Sequence, residues 1–354
     1  MSAGRAVHVH IDGIIFSLQN QGGISVLFRE LLSRLERSGI GICLSLEQPL
    51  RQVVAQATGG DLRVVKLRAR LGERYRPCRA PGTPMNVFHS SYYRQSANRQ
   101  VASVVTVHDF AYERCVGGMR STFHTLQKNA AIRQARAIIC VSESTRADLL
   151  ELVGVRSDQQ VFVVHNGVSE FFAPAPDSPM LESQRPYMLF VGQRARYKNF
   201  KLAASALDSL PGMELHCVGG GPLRPSELDS VAPGSRCRIR HWGAASQAQL
   251  HALYTGAVCL VYPSSYEGFG IPVLEAMRSG CPVVALASPG VLEVGGDALA
   301  LAQPNGESVA DAVRGLMEPA RRERVRATGL ARAAMFSWQR NFEQTTQIYR
   351  AVAS

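Results

Sequence analysis

Residues 257–280 constrain the fold more than any other part of the chain. The apolar run 257–262 is continuously hydrophobic, as expected of a strand covered on both faces in a parallel sheet. Pro263-Ser264-Ser265 breaks the run, and Gly268 and Gly270 flank Phe269. Pro272 falls where the first turn of a helix tolerates a missing N–H. That helix is expected to reach about Ser279, with Gly280 as its left-handed cap. Strand, glycine turn and helix together expose backbone N–H groups and point a positive helix end at the turn. The arrangement suits an anion or a hydroxyl-rich ligand. Glu267 on the turn and Glu275 inside the helix bracket it. Similar alternations of strand and helix recur along the 354 residues, which is the pattern of an α/β protein with room for two cores.

The segment EGFGIPVLE (267–275) resembles the paired-glutamate signature of nucleotide-sugar glycosyltransferases with the two-Rossmann-domain GT-B fold. In particular it resembles the retaining enzymes of glycosyltransferase family 4, among them bacterial polysaccharide and O-antigen mannosyltransferases. The resemblance implies two Rossmann-like domains whose parallel sheets face each other across a cleft. It also implies that Glu267, with Gly268, Phe269 and Gly270, holds the donor sugar, and that Glu275 binds the ribose hydroxyls. An ordinary glycine turn with two surface glutamates is the plainer alternative.

From the start of the chain, strands are expected at 7–11 and 40–46, with a helix over 24–37 carrying an apolar stripe at Val26, Leu27, Leu31, Leu32 and Leu35. Gly22 and Gly23 before that helix form a tight turn, and the resemblance implies that they let the backbone approach the donor diphosphate. Strands at 87–89 and 104–107 follow. The second delivers His108 and Asp109 at its carboxyl end, where open α/β sheets bind ligands. By resemblance His108 contacts the donor sugar; Asp109 could equally cap the next turn. Strand 137–141 leads to Ser142, a natural N-cap. Strand 161–164 leads to a turn at 165–168 that closes the first domain in the resembled enzymes.

A proline-rich run, 173–179, marks an interdomain linker. The expected organisation is an acceptor-side domain over 1–172, a linker over 173–186 and a nucleotide-sugar domain over 187–336. A terminal helix over 337–354 is expected to cross back to the first domain. After the strand 187–191 comes Gly192-Gln193-Arg194-Ala195-Arg196-Tyr197-Lys198. The resembled family places Gly-Arg here and a lysine a few residues on, both gripping the donor diphosphate. Lys198 fits the lysine, but Gln193 stands where the arginine is expected, so Arg194 or Arg196 must substitute. Gly219 and Gly220 end another strand, near the nucleoside by resemblance. Glu267, His108 and Lys198 are thus the expected catalytic set.

The mechanism implied is front-face transfer of a hexose, with retention, to a hydroxyl of a glycan or lipid-linked oligosaccharide. No Asp-x-Asp suggests a metal site, and no cofactor is expected beyond the substrate nucleotide sugar. General likeness leans toward GDP-mannose or a related deoxysugar donor. A sugar-nucleotide binding protein without transferase activity and an epimerase of the same fold stay open.

The formal charge of +11 asks for an acidic partner. No helix-turn-helix, zinc finger or RNA-binding aromatic signature appears, so nucleic acid is not expected. A basic segment, Lys66, Arg68, Arg70, Arg74, Arg76 and Arg79, is relieved only by Glu73 and interleaved with Leu67, Leu71 and Tyr75. It reads either as a solvated face or as a patch on an anionic membrane surface. No apolar stretch approaches the roughly 20 residues of a membrane span, and residues 1–21 have no leader pattern. The expected location is the cytoplasm, peripheral on the inner face of the cytoplasmic membrane. Eight scattered cysteines without a Cys-x-x-Cys pair read as reduced thiols.

Overall fold

Every described strand pairs in parallel with its neighbours, in two separate sheets. The computed structural model describes residues 6–19, 22–46, 62–66, 72–79, 85–174 and 185–353. One unit takes the chain up to Gly167 and again from Ser337; the other is Val168–Phe336. The change of unit thus falls at 167/168 rather than at 172. The physical reason is that Phe172 is buried in the second unit, with its ring against those of His251 and Tyr254. Most of the expected linker, 175–184, lies outside the described residues.

In the first unit the strands are β1 (His8–Asp12), β2 (Gly41–Leu46), β3 (Leu62–Lys66), β4 (Val87–Ser90), β5 (Ala102–Val107), β6 (Ala137–Cys140) and β7 (Gln160–Val163). Their order across the sheet is β3-β2-β1-β4-β5-β6-β7. The register aligns Val9 with Ile42 on one side and with Val87 on the other. Valine, isoleucine and leucine side chains of these central strands are buried, as strands covered on both faces require. The helix Gly23–Leu35 packs Leu27, Phe28, Leu31, Leu32 and Leu35 inward. The helix Trp338–Ala353 belongs to this unit too. Its Tyr349 hydroxyl lies 2.6 Å from Nδ1 of His89 on β4, and His89 Nε2 lies 2.9 Å from Thr106 Oγ1 on β5.

In the second unit the strands are β8 (Tyr187–Val191), β9 (Glu214–Val218), β10 (Ile239–His241), β11 (Cys259–Tyr262), β12 (Val283–Leu286) and β13 (Leu299–Ala302). Their order is β10-β9-β8-β11-β12-β13. Both orders have the doubly wound form: the chain builds outward in one direction, returns to the centre and builds in the other. The core of this unit gathers Met188, Phe190, Leu215, Val261, Val284 and Val313 between sheet and helices.

Candidate functional site

Where the strand order reverses, the loops leaving two adjacent strands diverge and open a crevice at the carboxyl edge of the sheet. In the second unit that point lies between β8 and β11. The loop after β8 carries Lys198 and the loop after β11 carries Glu267, so topology alone explains why residues so distant in sequence meet. Hydrogen bonds stitch the loops together: Ser265 N donates to Tyr197 O at 2.9 Å, and the Asn199 side-chain Nδ2 donates to Pro263 O at 2.9 Å. Asn199 takes a left-handed conformation to make this turn. Lys198 Nζ then stands 2.5 Å from Glu267 Oε1 and 3.4 Å from the Tyr262 hydroxyl. Both partners of this ion pair are largely buried.

The helix Ile271–Arg278 starts as its sequence demands, with Pro272 in the first turn, Gly270 at φ 113° before it and Gly280 at φ 76° after it. The Phe269 side chain is buried against Phe336, so what Phe269 could offer a sugar is backbone. Glu275 points its carboxyl at Tyr254, whose hydroxyl donates to it at 3.0 Å. Burial pushes Glu275 up to about 7, and the Tyr254 bond only partly opposes this. Burial, then the charge of Glu267, raises the Tyr262 hydroxyl well above the ordinary tyrosine range. Tyr254 thus partners Glu275, and Tyr262 stands with Lys198 beside Glu267, roles invisible in sequence because both tyrosines read simply as apolar core.

A further support went unseen. Gly290, near the start of the helix Pro289–Gly295, lies so close to the motif that a Cβ there would stand 2.1 Å from Glu267 O. The only sequence signal was a glycine after Ser288-Pro289 at the end of β12.

The two arginines differ. Arg194 is buried and donates to the carbonyls of Gly219 (2.9 Å), Gly221 and Pro222 (3.0 Å). It also pairs with Glu227 at 3.1 Å. It organises the glycine turn after β9, in which Gly219 and Gly220 both have positive φ. Arg196 is exposed; its carbonyl accepts from Asn199 N at 3.1 Å, but its guanidinium makes no hydrogen bond or ion pair with another described residue. Gln193 is exposed as well.

In the first unit His108 leaves the carboxyl end of β5. Its Nε2 is sealed from solvent and has no hydrogen-bond partner among the described residues. Burial, then the charge of Lys128, lowers His108 to about 3, so the imidazole is neutral. Asp109 caps the following turn, accepting from Ala111 N at 3.0 Å. Gly22 precedes the helix Gly23–Leu35 and packs against Gln19, where any Cβ would collide. Ser142 caps its helix through Thr145 N at 2.9 Å. Among the described residues, no cluster of histidine, cysteine or carboxylate side chains could hold a metal ion. No described helix is long and apolar enough to cross a membrane.

Residues 21–170 match the family described as Glycosyltransferase Family 4, and residues 185–319 match Glycosyl transferases group 1. O-antigen chain mannosyltransferase B of Escherichia coli is 31% identical over 277 residues, covering 72% of this chain and 71% of that protein. Among solved structures, sucrose-phosphate synthase from Thermosynechococcus elongatus superposes with a TM-score of 0.77 at 20% identity, covering 98% of this chain and 99% of that one. Anabaena HepE in complex with UDP and glucose gives 0.72 at 14% identity over 97% and 99%. These two structural likenesses are of fold.

Proposed function

The chain belongs to glycosyltransferase family 4, and from that premise we propose that it moves a hexose from a nucleoside-diphosphate sugar to a hydroxyl of a glycan or lipid-linked acceptor, with retention. The observation that carries this reading is the buried Lys198–Glu267 pair at the switch point of the second sheet. The donor diphosphate competes with Glu267 for Lys198, and Arg196 is the arginine free to join it. Glu267 then turns to the sugar. Glu275 accepts hydrogen bonds from the ribose. In the first unit the family resemblance assigns His108, neutral and with Nε2 unsatisfied, to a hydroxyl of the sugar, and Gly22 and Gly23 to the diphosphate.

In the transfer, the bond from the anomeric carbon to the diphosphate oxygen breaks and a bond to the acceptor oxygen forms on the same face. The acceptor proton passes to the departing diphosphate, whose growing negative charge Lys198 and Arg196 stabilise. A mannose donor is favoured by the mannosyltransferase relative. The structural neighbour solved with UDP makes uridine the competing base. The work is placed in the cytoplasm, at an anionic membrane surface where a lipid-linked acceptor would lie.

Incubation with GDP- and UDP-hexoses plus candidate acceptors, followed by diphosphate release and product NMR, tests the reading. Release coupled to an α-linked product from an α-linked donor supports it. Tight donor binding without release would leave a binding protein, and interconversion of the free sugar nucleotide an epimerase.

A further inference from the structure

Over residues 119–128 the helix Met119–Gln134 of the first unit turns apolar side chains outward and polar ones inward. Its buried side carries His124 and the fully buried Lys128, whose Nζ pairs with Glu113 at 2.7 Å, donates to Asp109 O at 3.0 Å and lies 4.0 Å from the Phe110 ring centre. Its solvent side carries Met119, Phe123 and Leu126, which are 81%, 64% and 61% exposed. These positions repeat at helical spacing, so they form one stripe. Beside the stripe stands Tyr75, 56% exposed, at the end of the short turn Glu73–Tyr75. Gln127 holds that turn against the helix by donating to Arg74 O at 2.5 Å. Tyr75, Phe123 and Leu126, with Pro77, Arg94 and Ala130, wall a cavity of 290 Å³.

Single exposed apolar residues need no explanation, but a contiguous aromatic and aliphatic patch does. Its electrostatic setting is one-sided. Arg76, the residue after Tyr75, and Arg79, four residues on, are exposed, whereas Glu73 is committed to Arg94 at 2.8 Å. The helix itself contains no aspartate or glutamate. An apolar patch edged by cations, with its nearest carboxylates already paired, matches a bilayer whose headgroups are anionic.

We propose that the face formed by Tyr75, Met119, Phe123 and Leu126 rests on an anionic lipid bilayer, with these side chains inserted and Arg76 and Arg79 at the headgroups. This deepens the membrane reading above by naming the surface, and it adds insertion to attraction by charge. Of the rest of the basic segment, Arg68 and Arg70 lie outside the described residues.

Co-sedimentation of the full chain with phosphatidylcholine vesicles, with and without phosphatidylglycerol, tests the proposal. Binding is expected only with phosphatidylglycerol, and it should weaken as salt rises. Phe123→Ser should weaken partition about tenfold, the loss expected for a buried phenyl group. Arg76→Ser and Arg79→Ser should each weaken it about fivefold. Leu150→Ser, at another exposed apolar position of the first unit, is the control and should change nothing. Equal melting temperatures verify that the variants fold. Diphosphate release with a soluble acceptor should be unchanged in Phe123→Ser, so loss of lipid binding and loss of transfer are separate results. Full vesicle binding by Phe123→Ser, or a stripe-dependent dimer that forms without lipid and excludes vesicles, would overturn the proposal.

Discussion

At the scale of single residues, the three cations after β8 have different work to do, and substitution should separate them. Lys198→Ala should lower kcat about 10²- to 10³-fold, as expected when a donor aimed at developing charge is lost. Arg196→Ala should act in the same direction with less effect on stability. Arg194→Ala should instead lower stability by about 3 kcal/mol, because it strips Glu227 of a buried partner. Melting curves beside steady-state rates check all three. Sequence alone left Arg194 and Arg196 equivalent, since nothing in a loop of alternating cations shows which side chain turns back onto Gly219.

Glu275 makes a second residue-level prediction. Its folded pKa is raised from 4.5 to about 7, so the folded state holds a proton that the unfolded chain has already released at neutral pH. Stability therefore falls as pH rises through this window. Glu275→Gln should melt higher than the parent at pH 8, by up to about 3 kcal/mol, with the gain fading toward pH 4. The same variant should bind a bare nucleoside diphosphate more weakly. The parent's own affinity should climb between pH 6 and 8 as the carboxylate ionises to accept ribose hydroxyls, which calorimetry can follow.

At the scale of elements, Gly290 couples the helix Pro289–Gly295 to the turn that presents Glu267. Gly290→Ala should push that turn away and cut turnover at least about tenfold, while circular dichroism stays unchanged. A change in stability with full activity would mean the helix and turn are not coupled. The elements that sequence reading found best were those with continuous apolar strands and a proline or glycine at each boundary, such as β11 and the helix Ile271–Arg278. The helix Met119–Gln134 escaped because its apolar residues are few and divided between two faces, with Met119, Phe123 and Leu126 outward and Ala131 and Ile132 inward beside Lys128 and His124, so no long single stripe marks it. The edge strand β3 escaped for another reason. Among the described residues it pairs only with β2, and its residues, Leu-Arg-Val-Val-Lys, sit at the mouth of a charged segment.

At the scale of the whole molecule, the two units should respond differently to acid. In the first unit burial lowers His10 and His124 to about 4, and His89 and His108 to about 3. The unfolded chain takes up these protons near pH 6.5, and the folded unit refuses them until far lower. Stability of the first unit is therefore lost as pH falls from 6.5, by roughly 1.4 kcal/mol per histidine for each pH unit travelled. Calorimetry from pH 7 to pH 4 should show the transition of the first unit moving down more steeply than that of the second. His89→Asn should blunt the effect, and parallel movement of both transitions would contradict it. The split itself, with the first unit resumed at Ser337, also has a temporal consequence. On the ribosome the whole of 168–336 emerges before the helix Trp338–Ala353 does. His89 meanwhile lacks Tyr349, and Gly167 lacks the Trp338 backbone on which it packs. Domains generally fold in the order in which they are made. Here the segment synthesised first should be the last to finish folding, and a released chain truncated after residue 336 should hold a mature second unit and a first unit still waiting for its closing piece.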